Sequence, residues 1–377
     1  MMKRILFLLL AVANFCFLSA QVTDGYYRIQ NVGSSRFLYV KDNRGSINPG
    51  TTTAEMGAIE LWTKYERAIS DPSSILFVHH VSDNAYRFRA QGTDTYEIIG
   101  YDLLLRKNRD GSYKAYQSKQ GMTQYLCDAE VVLSVEESRL GTNDSGTNFR
   151  DWNFRALTLD ESSYFGVKSE VEVAGEYYAT LYGDFPFQLG SPNMKVYYIS
   201  KVDKGMAVLA EFKEDWVPAA TPVLVKCASN QPNENKLEIG MTKAHKYAGN
   251  QLGGVYFHNK TKKHRNLTPY NAQTMRLLGV TSDGKIGFVT DPTCEYLPAN
   301  KAYLKVPAGT PEELIIVTQK EYEDHIAAGV DNVIVNEPQG DNLVYSVSGA
   351  VVGKGHDALK HLPAGVYVIN GKKFINK

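Results

Sequence analysis

The chain has 377 residues and equal numbers of acidic and basic side chains, 41 of each, so its formal net charge is zero. A balanced charge lacks the basic excess of nucleic-acid-binding proteins, and we therefore expect no nucleic-acid partner. The length suits two or three domains. Tyrosine is abundant, at 24 residues, which fits half-buried strands and exposed binding faces alike.

Residues 1–20 have the pattern of a secretory signal peptide. A short basic segment precedes an apolar run over 5–18, and the small residue Ala20 precedes Gln21. The run is shorter than the roughly 20 apolar residues of a membrane-spanning helix. We predict cleavage between Ala20 and Gln21 and a secreted or outer-surface protein, with the periplasm as the alternative location. A retained anchor or a lipid attachment at Cys16 is the other interpretation. We expect no transmembrane segment after cleavage.

Strand patterns dominate residues 21–165, which we assign to a first domain. Alternating aromatic and branched residues predict strands at 27–32, 36–40 and 151–155. Residues 53–69 instead carry apolar side chains at helical spacing and predict a helical insertion.

Residues 166–310 hold many short apolar runs separated by Gly- and Pro-containing turns, with almost no helical spacing. This pattern is typical of a β-sandwich. The runs at 275–280 and 285–289 flank Ser282-Asp283-Gly284 and predict a hairpin. Residues 311–340 predict a linker that carries a short acidic helix ending at Gly329.

Residues 341–377 form the last predicted unit. Two strand-like runs, at 366–369 and 372–375, flank Asn370-Gly371. An Asn-Gly pair supplies the two positive-φ residues of a tight hairpin turn, so we predict a hairpin at the end of the chain.

This last unit resembles the C-terminal sorting domains of type IX secretion. The matching residues are Tyr345, Gly349, Val351-Val352, Leu362, Gly365, Tyr367 and Lys372-Lys373. The resemblance implies an exported protein of a Gram-negative bacterium, with the export machinery as a partner of the C-terminus.

The stretch DGYYRIQNVGSSRFLYV, residues 24–40, looks like the opening of a ricin-type β-trefoil. The resemblance implies a trefoil-like first domain and an extracellular glycan as ligand. Aromatic faces can stack on sugar rings, and we take Tyr26, Arg28 and Arg36 as candidate ligand contacts. The competing interpretation places alternate residues of these strands, Tyr27 above all, in the barrel core.

The remaining motifs give no support for catalysis. The sequence lacks a His-Glu-x-x-His zinc helix, a Gly-x-Ser-x-Gly nucleophile turn and a phosphate-binding loop. We therefore predict no catalytic residue, no metal ligand and no cofactor. The favoured hypothesis is a non-catalytic binding protein. The alternatives are an extracellular hydrolase acting on glycans or peptides, and a purely structural surface protein.

Three cysteines follow the signal peptide: Cys127, Cys227 and Cys294. An odd number of widely spaced cysteines is not a disulfide framework. One Cys227–Cys294 bridge and three separate thiols remain the two interpretations, and the second is preferred.

Overall fold

The computed structural model describes residues 21–40, 59–62, 68–89, 102–119, 121–129, 137–143, 148–159, 163–242, 247–256, 268–331, 343–369 and 372–376. The chain divides into two compact units, Met1–Ile316 and Val317–Lys377. The predicted signal peptide, its last residue Ala20 and the predicted Asn370-Gly371 turn lie outside the described residues.

The larger unit begins with a β-barrel. Its described strands are β1 (Gly25–Asn31), β2 (Phe37–Val40), β3 (Ile59–Trp62), β4 (Leu76–Ser82), β5 (Ala85–Arg89), β6 (Leu103–Lys107), β7 (Tyr113–Lys119), β8 (Met122–Asp128), β9 (Glu137–Asn143) and β10 (Asp151–Ala156). Strands β1, β4, β5, β6, β7 and β10 pair in that order, and β10 pairs back with β1, so the ring closes. The hairpins β2–β3 and β8–β9 extend from it and join through β3 and β9. The predicted mainly-β fold is confirmed.

Alternating side chains of the barrel strands fill its interior. Ile29, Leu76, Val78 and Trp152 are almost fully buried in one core cluster, and Tyr27 packs against it in part. The Trp152 indole is buried because its N–H donates to the carbonyl of Leu126, 3.1 Å away.

The helix predicted at 53–69 is wrong over its central residues, which form strand β3. Phe37 lies opposite Trp62 and Leu38 lies opposite Leu61 in the β2–β3 ladder. A run this short has no strong intrinsic preference, and the pairing with β2 and β9 decides its conformation.

The sandwich follows the barrel in the same unit. Its described strands are β11 (Phe165–Gly166), β12 (Val171–Val173), β13 (Glu176–Leu181), β14 (Phe187–Leu189), β15 (Lys195–Asp203), β16 (Met206–Glu211), β17 (Val223–Cys227), β18 (Lys236–Ile239), β19 (Leu252–Gly254), β20 (Met275–Val280), β21 (Ile286–Val289), β22 (Ala302–Lys305) and β23 (Glu313–Thr318). A ten-stranded sheet has the order β12-β13-β17-β15-β16-β23-β21-β20-β22-β19, and a second sheet has the order β11-β18-β14. The predicted hairpin is β20–β21, in which Val280 lies opposite Ile286.

The ten-stranded sheet folds back on itself. Ile199 and Leu224 from one half share a core with Phe288 and Leu304 from the other half. The outer face of β13, β15 and β17 packs against the three-stranded sheet in a further core. Two barrel residues, Ile75 and Leu157, belong to that further core, so the barrel and the sandwich pack directly together.

Strand β23 falls in the range predicted as a linker. Leu314 is fully buried there, and its neighbour Ile316 packs against the core between the sheet halves. This short run joins the sheet through β21, where Phe288 lies opposite Leu314.

The smaller unit contains helix α1 (Gln319–Asp331) and strands β24 (Leu343–Ser346), β25 (Val351–Lys354), β26 (Gly365–Ile369) and β27 (Lys372–Asn376), in the sheet order β25-β24-β26-β27. The predicted terminal hairpin is β26–β27, and it pairs Ile369 with Lys372. Val344, Tyr367 and Ile369 form its small core. Across the described residues of both units, no helix is long and apolar enough to cross a membrane.

Candidate functional site

Arg28, a predicted ligand contact, lies inside the larger unit. Its side chain is almost fully buried. The guanidinium donates hydrogen bonds to the carbonyls of Tyr164 and Ile69 at 2.6 and 3.0 Å, and to Ser74 Oγ at 3.2 Å. A buried guanidinium needs such acceptors, and burial leaves Arg28 no access to a ligand in solution. Arg28 is therefore not part of the candidate site.

Arg36, the second predicted contact, is also interior. Its Nη1 atom lies 2.7 Å from Asp128 Oδ2, and both side chains are completely buried. This ion pair joins the start of β2 to the end of β8. Both predicted arginines therefore have structural contacts, because the barrel brings acceptors to them from distant parts of the chain.

Tyr26, the third predicted contact, lies where the barrel meets the sandwich. Its ring centroid is 5.0 Å from that of Phe77 in the barrel and 6.3 Å from that of Phe185 in the sandwich. The hydroxyl donates to the carbonyl of Asp184 at 3.2 Å. Burial raises the pKa of Tyr26 to about 12. This side chain therefore packs the junction between barrel and sandwich.

A more open site lies in the sandwich, at one end of its core. We call it the tyrosine pocket, and it has a volume of about 530 Å³. Its lining residues are Tyr182, Ala219, Ala220, Thr221, Pro222, Tyr247, Asn250, Leu252, Gly254 and Lys305. The volume is within the range of about 300–1,000 Å³ that is usual for small-molecule sites.

Tyr182 forms one wall of the tyrosine pocket. Its ring lies directly on the backbone of Gly254, where any Cβ would overlap the ring. Behind it, the ring of Tyr256 stacks at a centroid distance of 4.1 Å. The hydroxyl of Tyr256 donates to the carbonyl of Gly183 at 2.6 Å. Burial raises the pKa of Tyr182 and that of Tyr256, so both phenols stay neutral at physiological pH.

Tyr247 contributes a second aromatic ring to the lining. Its ring centroid is 4.2 Å from that of Phe212, which fixes the ring against the sandwich. Burial and the neighbouring carboxylate of Glu214 raise the pKa of Tyr247. The tyrosine pocket therefore has two neutral aromatic rings on rigid supports.

Polar groups stand at the rim of the tyrosine pocket. Asn250 Nδ2 donates to the carbonyl of Pro222 at 2.9 Å, and Asn250 Oδ1 accepts from the backbone N–H of Leu252 at 2.9 Å. These bonds hold the loop before β17 against β19. Lys305 lies over Gly253, whose missing side chain leaves room for the lysine stem. Its ammonium group, on a flexible stem, can donate hydrogen bonds to a ligand that lies beside the aromatic rings of the lining.

A smaller cavity of about 180 Å³ lies between barrel and sandwich. Two of its charged groups, Lys301 and Asp71, already have partners. Lys301 Nζ lies 2.9 Å from Glu170 Oε1, and Asp71 Oδ1 accepts from the backbone N–H of Ser73 at 2.7 Å. The tyrosine pocket is therefore the better candidate site.

The described residues hold no cluster of His, Cys, Asp and Glu suited to a metal ion. Cys127, Cys227 and Cys294 form no disulfide with one another, in agreement with the preferred interpretation of three thiols. Burial raises the pKa of Cys227 to about 12.

Sequence reasoning missed the tyrosine pocket. The usable signal was the pair Gly253-Gly254 inside the strand-like run 252–256, because glycine within a strand often marks the close approach of another group. The partner that makes this approach, Tyr182, is about seventy residues earlier in the chain, and only the folded sheet brings the two together.

The sorting-like residues of the smaller unit have clear roles in its fold. Tyr367 is buried, and its hydroxyl donates to the carbonyl of Pro363 at 2.8 Å. Gly349 has a φ of 81° in the turn after β24, a conformation that favours glycine. Gly365 begins β26 and Lys372 begins β27, while Leu362 packs against the small core. Tyr345 is partly exposed on β24.

Comparisons with known proteins leave the function open. No family model and no curated protein matches the chain. A solved structure of a mosquitocidal holotoxin matches with a TM-score of 0.27 and 11% sequence identity, over 78% of this chain and 34% of that chain. The chain thus spans about a third of that structure's length, and a similarity this low carries no argument about function.

Proposed function

We propose that the protein is a secreted or surface-exposed, non-catalytic binding protein for an extracellular glycan, and that the tyrosine pocket is its ligand site. The observation that carries the proposal is the pocket of about 530 Å³ with Tyr182 and Tyr247 in its lining and Lys305 at its rim. The proposal moves the ligand from the barrel residues predicted from sequence to the sandwich.

The chemistry of the lining suits a sugar. A pyranose ring has apolar C–H faces, which pack on aromatic rings, and hydroxyl groups at its edge, which need polar partners. The rings of Tyr182 and Tyr247 contribute apolar surface to the lining, and the Lys305 ammonium supplies hydrogen-bond donors. Tyr182 is held in place by Gly254 and Tyr256 before a ligand arrives, which lowers the entropic cost of binding.

The lining favours binding over hydrolysis. Hydrolysis of a glycosidic bond uses two carboxyl groups at a defined separation, and peptide hydrolysis needs a nucleophile with a base or a metal. Among the described residues that line the tyrosine pocket there is no carboxylate, histidine, serine or cysteine. The hydrolase and the purely structural protein remain the competing hypotheses.

The test is calorimetric titration of purified protein with a panel of neutral oligosaccharides, in parallel with an assay for their cleavage. We expect at least one oligosaccharide to bind without being cleaved. The Tyr182→Ala variant should lose at least about tenfold in affinity, as expected for removal of a central aromatic anchor. Cleavage of a bound oligosaccharide would support the hydrolase instead.

Two matched pairs of variants separate binding from folding. Lys305→Met should weaken binding, while Lys195→Met, which alters an exposed lysine of the same sheet paired with Glu211, should not. Tyr177→Ala removes a partly buried tyrosine outside the tyrosine pocket and serves as the control for Tyr182→Ala. If all four variants bind like the unaltered protein, the tyrosine pocket is not the ligand site.

We also propose that residues 341–377 act as an export address. The supporting observation is that this segment lies in a compact unit with a core of its own, Val344, Tyr367 and Ile369. Fractionation of cells that produce the full chain or a chain ending before Asp341, with mass spectrometry of both termini, tests this. We expect the shortened chain to accumulate in the periplasm and the full chain to reach the surface. Equal distribution of the two chains would contradict the export role.

A further inference from the structure

The outer face of the barrel carries a second aromatic cluster, far in sequence from the tyrosine pocket. Tyr116 on β7 lies opposite Tyr125 on β8, with the two ring centroids 5.6 Å apart. Arg106 on β6 and Arg150 before β10 flank the two rings. We call these four residues the arginine–tyrosine face.

Both guanidinium groups lie on aromatic rings. The Cζ atom of Arg106 is 5.9 Å from the ring centroids of both tyrosines, and that of Arg150 is 4.8 Å above Tyr125. Arg106 Nη2 also donates to the hydroxyl of Tyr125 at 3.4 Å. Cation–π contacts with the rings help to hold the guanidinium groups in place while leaving N–H donors available.

Neither arginine has a carboxylate partner among the described residues. The other cation on this face, Lys114, lies opposite Arg106 and pairs with Asp151. Asp151 also accepts from Asn108 at 2.9 Å, so its charge is already engaged. Two other arginines of the barrel differ, since Arg36 pairs with Asp128 and Arg87 pairs with Asp102. Two positive charges on the arginine–tyrosine face are thus left without a counter-charge from the described chain.

We infer that the arginine–tyrosine face is a second binding site, which takes an anionic pyranose through its carboxylate or sulfate group. Arginine binds both anions through paired N–H donors, and the tyrosine rings offer apolar faces for the sugar ring. The site is separate from the tyrosine pocket and does not depend on the function proposed for it.

The experiment is calorimetric titration of the purified full chain with three probes of similar length. They are tri-galacturonate, which carries carboxylates, a heparin-derived tetrasaccharide, which carries sulfates, and neutral galactotriose. We expect at least one acidic probe to bind with an affinity that falls as salt is raised, whereas any binding of galactotriose should change little with salt. The comparison of the two acidic probes shows which anion is preferred.

The double variant Arg106→Ala/Arg150→Ala should lower the affinity for that acidic probe by at least about tenfold, as expected for lost charge-assisted hydrogen bonds. Arg106→Lys/Arg150→Lys keeps the charges but loses the planar stacking, and it should give an intermediate loss. Arg87→Ala, which removes an arginine from the same barrel, should have little effect, and so should Tyr182→Ala.

Three results would overturn the inference. The first is that neither acidic probe binds with an affinity that falls as salt is raised. The second is a double alanine variant that melts like the unaltered protein and binds the acidic probe equally well. The third is displacement of the acidic probe by inorganic phosphate at equal concentration, which would show that the sugar ring contributes nothing.

Discussion

Large polar side chains are buried inside the barrel, whereas in the sandwich they line the open tyrosine pocket. In the barrel, Arg28 and Arg36 are buried, and Arg28 donates to backbone carbonyls while Arg36 pairs with Asp128. In the sandwich, Tyr182 and Tyr247 line an open pocket on rigid supports. A polar residue in an aromatic strand pattern therefore does not by itself mark a ligand contact. The partners that the fold supplies decide whether its donors are available.

The largest effect is expected from breaking the buried ion pair in the barrel. Arg36→Met removes the buried positive charge that faces the Asp128 carboxylate, and we expect a loss of about 3–5 kcal/mol in the free energy of unfolding. Urea denaturation measures this loss. The control is Arg87→Met, because Arg87 and Asp102 form a partly exposed pair that should be worth less than about 1 kcal/mol. Equal losses in the two variants would refute the interior role of Arg36.

The next effect concerns the support of the tyrosine pocket. Gly254→Ala places a methyl group where the Tyr182 ring now lies, and we expect a loss of about 1–3 kcal/mol in stability from overpacking. Because the ring must move, oligosaccharide affinity should fall as well. Tyr182→Phe keeps the ring and should retain most of both properties. Unchanged stability and binding in Gly254→Ala would show that the ring is not held as described.

The sequence predicted the mainly-β architecture well because strand alternation and turn residues are local signals. The β20–β21 and β26–β27 hairpins follow directly from Ser282-Asp283-Gly284 and from Asn370-Gly371 between strand-like runs. The candidate site was not predictable in the same way. Tyr182 and Gly254 meet only after the ten-stranded sheet folds back, and Arg36 meets Asp128 only after the barrel closes. Such contacts depend on long-range pairing that no local pattern encodes.

A smaller effect is expected at the start of α1. Glu321 accepts hydrogen bonds from the backbone N–H and the hydroxyl of Thr318, and these bonds lower the pKa of Glu321. A lowered carboxyl pKa gives stability that is present above the unfolded value and is lost as pH falls through the folded value. We therefore expect the first turn of α1 to loosen on acidification below about pH 4.5, the ordinary value for Glu.

The Thr318 amide resonance, followed by NMR from pH 6 to pH 3, measures this loosening. In the Glu321→Gln variant, which cannot ionise, the resonance should not titrate. If the Thr318 resonance still shifts with pH in this variant, another carboxyl group causes the loosening.

The smallest effect concerns thiol reactivity. Burial raises the pKa values of Cys127 and Cys227, so few of their thiols are ionised at pH 8, whereas Cys294 is only partly buried. Because the thiolate is the reactive form, iodoacetamide should modify Cys294 first, and the other two only after unfolding. Mass spectrometry of the peptides measures the order in which the three cysteines are modified. Modification of Cys227 as fast as Cys294 in native protein would be inconsistent with this burial.

Hydrogen–deuterium exchange with a saturating neutral oligosaccharide would show whether the tyrosine pocket binds the ligand. We expect slower amide exchange in two segments, 219–224 and 247–256, with the barrel strands unchanged. Slower exchange in β1 and β2 around Tyr26 and Arg36, with the sandwich segments unaffected, would place the ligand site in the barrel and exclude the tyrosine pocket.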